Sequence, residues 1–210
     1  MNEHFAYRDG QLFCEDVPVA DIAAEAGTPA YVYSRAELVG QYQRVAEAFA
    51  ALEPTICFSV KCLANLHVLR LLADVGSGFD VVSGGEVDRV RRIGADPGRV
   101  VFAGVGKTDA ELAAAIDAGV GVFNVESEPE LENLARLARH AGRDVRAALR
   151  VNPDVYDPKT HAYTTTGKKE TKFGVDIERA RALFEAYGHE RGVTLDGIHI
   201  HIGSPIYSPE

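Results

Sequence analysis

Gly78-Phe79-Asp80-Val81-Val82-Ser83-Gly84-Gly85-Glu86 holds one strand and the start of one helix with no loop between them. The apolar run through Val82 has strand length and β-branched character. Ser83 to Glu86 is an S/T-x-x-E capping box, and Val87 and Val90 behind it begin a helical stripe. The same strand-then-box pattern recurs at Thr108-Asp109-Ala110-Glu111 and Ser127-Glu128-Pro129-Glu130, followed by Leu112 and Ile116 and by Leu131, Leu134 and Ala138. Working outward, apolar strands are expected at about 55–60, 78–82, 100–103, 121–125, 145–151 and 195–202. Four successive steps of about 22 residues leave room for one crossover helix each, which predicts a βα array on a parallel sheet.

Before the array, Tyr7 to Phe13 reads as a hairpin around Asp9-Gly10, Asp21 to Gly27 as a short helix, and Ala30 to Tyr33 as extended. Ser34-Arg35-Ala36-Glu37 then opens a helix as a further capping box. The interval after the fifth strand is different. The polar stretch Asn152 to Lys172 precedes a helix near 177–191, and loops of that length inside a regular array are usually functional.

In a parallel array the C-terminal strand ends share one face, where (β/α) barrels do their chemistry. Here those ends carry Lys61, Asp80 to Ser83, Gly104 to Lys107, Glu126, Arg150 and His201 to Ser204. A single lysine at a strand end is ordinarily a solvated charge, Ser83 is explained as a helix cap, and a lone histidine is often a satisfied core residue. Six successive polar strand ends are not explained that way.

Composition narrows the function. A net charge of -9 argues against a nucleic-acid partner. No apolar run reaches the length of a membrane span, and the Met-Asn-Glu-His-Phe start is unlike a secretory signal, so a cytoplasmic protein is expected. Cys14, Cys57 and Cys62 form neither a CxxC pair nor an even set, and the seven histidines show no metal-ligand spacing; no metal is expected. Two nucleotide motifs fail. After Gly76-Ser77-Gly78 the third glycine of a dinucleotide fingerprint is replaced by Val81, and Gly106-Lys107-Thr108 lacks the glycine of a phosphate loop, Val101 standing there.

Seven segments in order, FSVKCLAN (58–65), GFDVVSGGE (78–86), VVFAGVGKT (100–108), VFNVESEPEL (122–131), LRVNPD (149–154), KTHAYTTTGKKETKFG (159–174) and GIHIHIGS (197–204), resemble the diaminopimelate decarboxylases. Those are pyridoxal-phosphate enzymes of the alanine-racemase/ornithine-decarboxylase fold. The resemblance runs over essentially the whole chain and implies a (β/α)8 TIM-type barrel, here ending after about the sixth strand. It implies that residues 1–29 contribute to a second β-domain and that residues 30–210 are the partial barrel that binds pyridoxal 5'-phosphate. It also implies roles. Lys61 matches the lysine to which the cofactor is covalently linked, and Asp80 a carboxylate close to both. Arg150 matches an active-site arginine within reach of the cofactor ring. His201 matches the histidine that stacks on the pyridine face, Ser204 a phosphate ligand, and Gly203 a point of close backbone approach to that phosphate. Glu86 and Lys172 match positions near the site, while Ser83 and His161 are closer to structural.

The implied reaction is decarboxylation of meso-2,6-diaminopimelate to L-lysine, catalysed by a homodimer with shared sites. The family's last two barrel strands, glycine-rich phosphate loop, pyridine-nitrogen partner and proton-donating cysteine have no counterpart in these 210 residues. The chain alone is therefore expected to be inactive. Cys62-Leu63-Ala64-Asn65 after the lysine and Pro205 after His-Ile-Gly-Ser depart from the commoner family pattern. The alternatives are a related decarboxylase of ornithine, arginine or carboxynorspermidine, and a non-catalytic pyridoxal-phosphate-binding paralogue. The 152–172 loop speaks for the diaminopimelate branch.

Overall fold

Each capping box does start a helix in the computed structural model, which describes residues 4–155, 173–188 and 192–204. Strands β1 (Phe5–Arg8), β2 (Gln11–Cys14) and β3 (Val17–Pro18) form an antiparallel sheet. Asp9 and Gly10, both at positive φ, make the turn that pairs Arg8 with Gln11. Helix α1 (Val19–Ala26) begins two residues before the expected Asp21, and α2 (Arg35–Ala48) starts at the Ser34 cap. Glu37 does not complete that box. Its carboxylate turns to Gln41 and His4, and Ser34 instead donates to Glu15 at 2.6 Å.

The array follows as β4 (Cys57–Ser59), α3 (Leu66–Asp74), β5 (Gly78–Val81), α4 (Gly84–Arg92), β6 (Val100–Phe102), α5 (Asp109–Ala118), β7 (Val122–Val125), α6 (Glu128–His140), β8 (Val145–Arg150), α7 (Ile177–Tyr187) and β9 (Val193–His199). The last strand starts and ends earlier than the 195–202 expected. All neighbouring pairs are parallel and the order β4-β5-β6-β7-β8-β9 follows the chain without reversal. Unidirectional winding is the barrel pattern, whereas a doubly wound sheet reverses at a switch point. The pairing of β8 with β9 slips once, between Ala147 and Ala148, with Asp196 as the extra residue.

One face of the sheet packs under the helices. Phe79, Phe102 and Phe123 are fully buried there, Phe102 and Phe123 being register partners with ring centroids 6.3 Å apart. Each such ring contributes about 1.5–3 kcal/mol by burial. Leu69, Val87, Leu112, Ile116, Leu131 and Leu134 come down from the helices to meet them. Only the Thr108 box closes reciprocally with its N3 glutamate, Glu111. Glu86 and Glu130 reach one residue further back, to the backbone N–H of Val82 and Glu126 at the preceding strand ends. The helix starts are thereby tied to the strand-end face.

Candidate active site

Val60–Cys62 form a single 3-10 turn directly after β4, with Val60 buried and Lys61 exposed above it. Lys61 thus stands two residues past the strand end, with its amine reachable, and α3 starts only at Leu66 under its Asn65 cap. On the neighbouring strand Asp80 is the register partner of Ser59 and accepts a hydrogen bond from the Ser59 hydroxyl at 2.9 Å.

The β7 and β8 ends are locked together. Arg150 and Glu126 are both buried, and Arg150 Nη1 donates to Glu126 Oε1 at 3.0 Å and to Oε2 at 3.2 Å. The Phe173 ring lies 4.9 Å from the guanidinium carbon. Asn152, two residues on, donates to the Phe173 carbonyl at 2.6 Å.

On β9, His199 is the register partner of Arg150, and His201 follows two residues later, just past the strand end and close enough to feel the charges of Arg150 and Lys61. Burial, then the positive charge of Arg150, pushes the His199 pKa down to about 4, with Asp80 opposing and His201 and Lys107 adding to the depression. His201 is held below 6.5 by desolvation and by the charges of Arg150 and Lys61, with Asp80 and Glu126 pulling the other way. These couplings place Lys61, Asp80, Glu126, Arg150, His199 and His201 in one electrostatic neighbourhood. Gly203, at φ 154°, carries the backbone past it to the exposed Ser204.

Lys107 behaves differently from the other strand-end groups. Its ammonium is buried and donates to the Gly104 and Asn124 carbonyls, each at 2.8 Å, and to Glu130 Oε1 at 2.5 Å. It is a tie between βα units, and Ser83 likewise is a helix cap that accepts from Glu86 N. Sequence reading singled out Lys61, Asp80, Arg150 and His201, which converge. It did not assign Glu126 or His199. Two-residue spacing from His201 was the available signal for His199. Lys172, His161 and Pro205 lie outside the described residues.

The arrangement suits a small anionic cofactor that bonds covalently to an amine. It offers a reachable lysine amine, a nearby carboxylate, an aromatic nitrogen ring, and a glycine–serine turn. Arg150 Nε and His199 Nδ1, both buried, have no hydrogen-bond partner among the described residues, so polar atoms remain for a ligand. Among the described residues no cluster of three or more His, Cys, Asp or Glu could hold a metal, and no helix is long and apolar enough to cross a membrane.

A strand-end lysine on a partial (β/α) barrel with this polar face suits a pyridoxal-phosphate enzyme, and the family match makes that assignment. The family described as "Pyridoxal-dependent decarboxylase, pyridoxal binding domain" matches residues 35–210, and the chain belongs to it. Membership makes pyridoxal phosphate the cofactor, and the residues present fit it.

Within that family the chain is similar to the diaminopimelate decarboxylase of Pseudomonas aeruginosa, at 48% identity over 96% of this chain and 48% of the relative. For the enzyme of that name from Vibrio cholerae the values are 45%, 97% and 49%. The structure of M. jannaschii diaminopimelate decarboxylase in complex with L-lysine superposes with a TM-score of 0.87 at 36% identity, over 97% of this chain and 48% of that one. The chain spans about half the length of the relatives it matches.

Proposed function

We propose that the chain is the cofactor-holding half of a diaminopimelate decarboxylase, which removes CO2 from meso-2,6-diaminopimelate to leave L-lysine as the last step of lysine biosynthesis. The observation that carries this is the convergence of Lys61, Asp80, Arg150 and His201 at the ends of four parallel strands, in a chain 48% identical to an enzyme of that name. In this reading Lys61 Nζ holds the cofactor covalently, and Asp80, steadied by Ser59, balances charge beside it. His201 supplies an aromatic face, and its depressed pKa keeps the ring neutral, which avoids setting one cation against another. Ser204 and the Gly203 backbone receive the phosphate, the glycine because a bulkier residue resists that φ.

Glu126 holds Arg150 in a fixed orientation toward the ligand. Pyridoxal phosphate, when bound, supplies an electron sink for the pair left behind by the departing CO2. The protein is a cytoplasmic homodimer without nucleic-acid or membrane partners, acting on a small amino acid. Residues 1–29 belong to its β-domain, in keeping with an antiparallel sheet that, among the described residues, shares no strand pairing with the parallel one. The 210 residues alone are inactive.

The test uses the full-length protein. CO2 release from meso-diaminopimelate, with little from ornithine or arginine, is the expected outcome; equal turnover of arginine would overturn the substrate assignment. Borohydride reduction followed by peptide mass spectrometry should mark Lys61, and a Lys61→Ala protein that still traps the cofactor would refute its role. Turnover by residues 1–210 alone would refute the claim of inactivity.

A further inference from the structure

Two register-paired residues, Arg150 on β8 and His199 on β9, each carry a buried nitrogen without a hydrogen-bond partner among the described residues. Arg150 is 6% exposed, and its guanidinium is fixed by Glu126 through Nη1 and by the Phe173 ring. Its Nε–H therefore points in one set direction, and it can only donate. His199 Nδ1 is the complementary case. With Arg150 beside it the imidazole stays neutral, its pKa lowered to about 4, and the neighbouring cation favours the tautomer that turns a lone pair on Nδ1 toward it. Neighbouring atoms that need one acceptor and one donor are satisfied together by an oxygen that bears a hydrogen. A bare carboxylate or phosphate oxygen would serve Arg150 alone, and an ammonium would serve His199 alone.

We propose that Arg150 Nε and His199 Nδ1 form a two-point subsite for a single hydroxyl-type oxygen, with His199 as the acceptor that distinguishes an O–H from a bare anion. The inference rests on the reading of the chain as a pyridoxal-phosphate site. It adds a ligand-binding residue that resemblance did not assign. The oxygen is either the ring hydroxyl of the bound cofactor or a water held beneath it. His201, two residues away, then has beside it a second histidine whose task is recognition.

The experiment uses the full-length protein freed of cofactor. It measures equilibrium binding of pyridoxine 5'-phosphate, which lacks the aldehyde and cannot bond to Lys61, and of its 3-deoxy counterpart. Unmodified protein should prefer the hydroxylated ligand by about tenfold, His199→Leu should abolish the preference, and His199→Asn should restore most of it. Equal binding of both ligands by the unmodified protein, with both weakened about tenfold by His199→Leu and restored by His199→Asn, would support the subsite and identify the oxygen as water. Circular dichroism melts matched to the unmodified protein separate these effects from misfolding. Undiminished binding by His199→Leu, or equal losses in the Leu and Asn variants, would overturn the proposal. Failure of the unmodified protein to take up pyridoxal 5'-phosphate would instead overturn the reading beneath it, and the subsite with it.

Discussion

Replacing Lys107 by methionine separates a structural tie from a site residue. The ammonium is almost fully buried, with a side-chain exposure of 1%, and it bonds two carbonyls and a glutamate that is itself only 12% exposed. Breaking a buried pair from one side costs about 3–5 kcal/mol, because the remaining charge is left uncompensated. Glu130 keeps its hydrogen bond from Glu126 N and sits in the first turn of α6, which moves the expectation to the lower half of that range. For a chain of this size each kcal/mol lowers the melting temperature by about 2–4 °C, so Lys107→Met should melt about 6–16 °C lower.

The decisive comparison is the second substitution. Glu130→Gln alone should destabilise by about 1–3 kcal/mol, less than the usual cost because the ammonium keeps two carbonyl acceptors, yet in the Lys107→Met background it should be neutral or stabilising, since it removes the stranded charge. Thermal unfolding followed by circular dichroism gives all four corners of the cycle. Additive effects within about 0.5 kcal/mol, or a Lys107→Met protein melting within about 2 °C of the parent, would refute the reasoning.

Thr108→Ala removes the one reciprocal capping box and should cost about 1 kcal/mol in urea denaturation. Two glycine substitutions should have opposite signs. Gly121→Ala would drive a methyl into the Gly98 carbonyl and lose about 1–3 kcal/mol, whereas Gly40→Ala, inside α2 with nothing within 4 Å, should gain about 0.5–1 kcal/mol. His199 sets a pH dependence. Its folded pKa of about 4 lies below the ordinary 6.5, so the unfolded chain binds the proton first. Its contribution is complete above pH 6.5 and is lost as pH falls toward 4, by about 2 kcal/mol once screening is allowed for; His199→Leu should flatten that part of a stability–pH profile.

The fold was legible because strand and helix announce themselves by different devices. Ser83, Thr108 and Ser127 cap helices where the boxes predict them, and the stripe residues Val87, Leu112 and Leu131 are buried as the periodicity requires. What the pattern could not settle was how the carboxylates are used. Glu37 turns away from its box to Gln41 and His4, and Glu86 and Glu130 reach one residue past their caps to the N–H at the end of the strand before them, a choice between adjacent donors that the box pattern does not encode. The site was legible for the same reason as the fold, since polar residues stood at successive strand ends. Lys107 looked like one more of them, and only packing against Glu130 shows it to be internal. Glu126 was named as a strand end but given no role, and His199 was missed, because each matters through a cross-strand partner, Arg150, more than 20 residues away in sequence.

The slip in register at Asp196 acts as a phase shifter. Before it Val193 and Leu195 face the helices, and after it Ile198 and Ile200 line a groove against Ala180 and Phe184 of α7 while His199 is set beside Arg150. Odd-numbered positions face the helices on one side of Asp196 and the polar interior on the other. Deleting that single residue would remove the bulge and leave Gly197 opposite Ala148, Ile198 opposite Leu149 and His199 opposite Arg150, whereas drawing Asp196 into regular pairing would turn the isoleucines inward and carry His199 to the apolar side. In mutational terms the facing of this strand depends on the bulge and not on the letter at 196: the site survives loss of the extra residue and is lost only when that residue is drawn into the ladder.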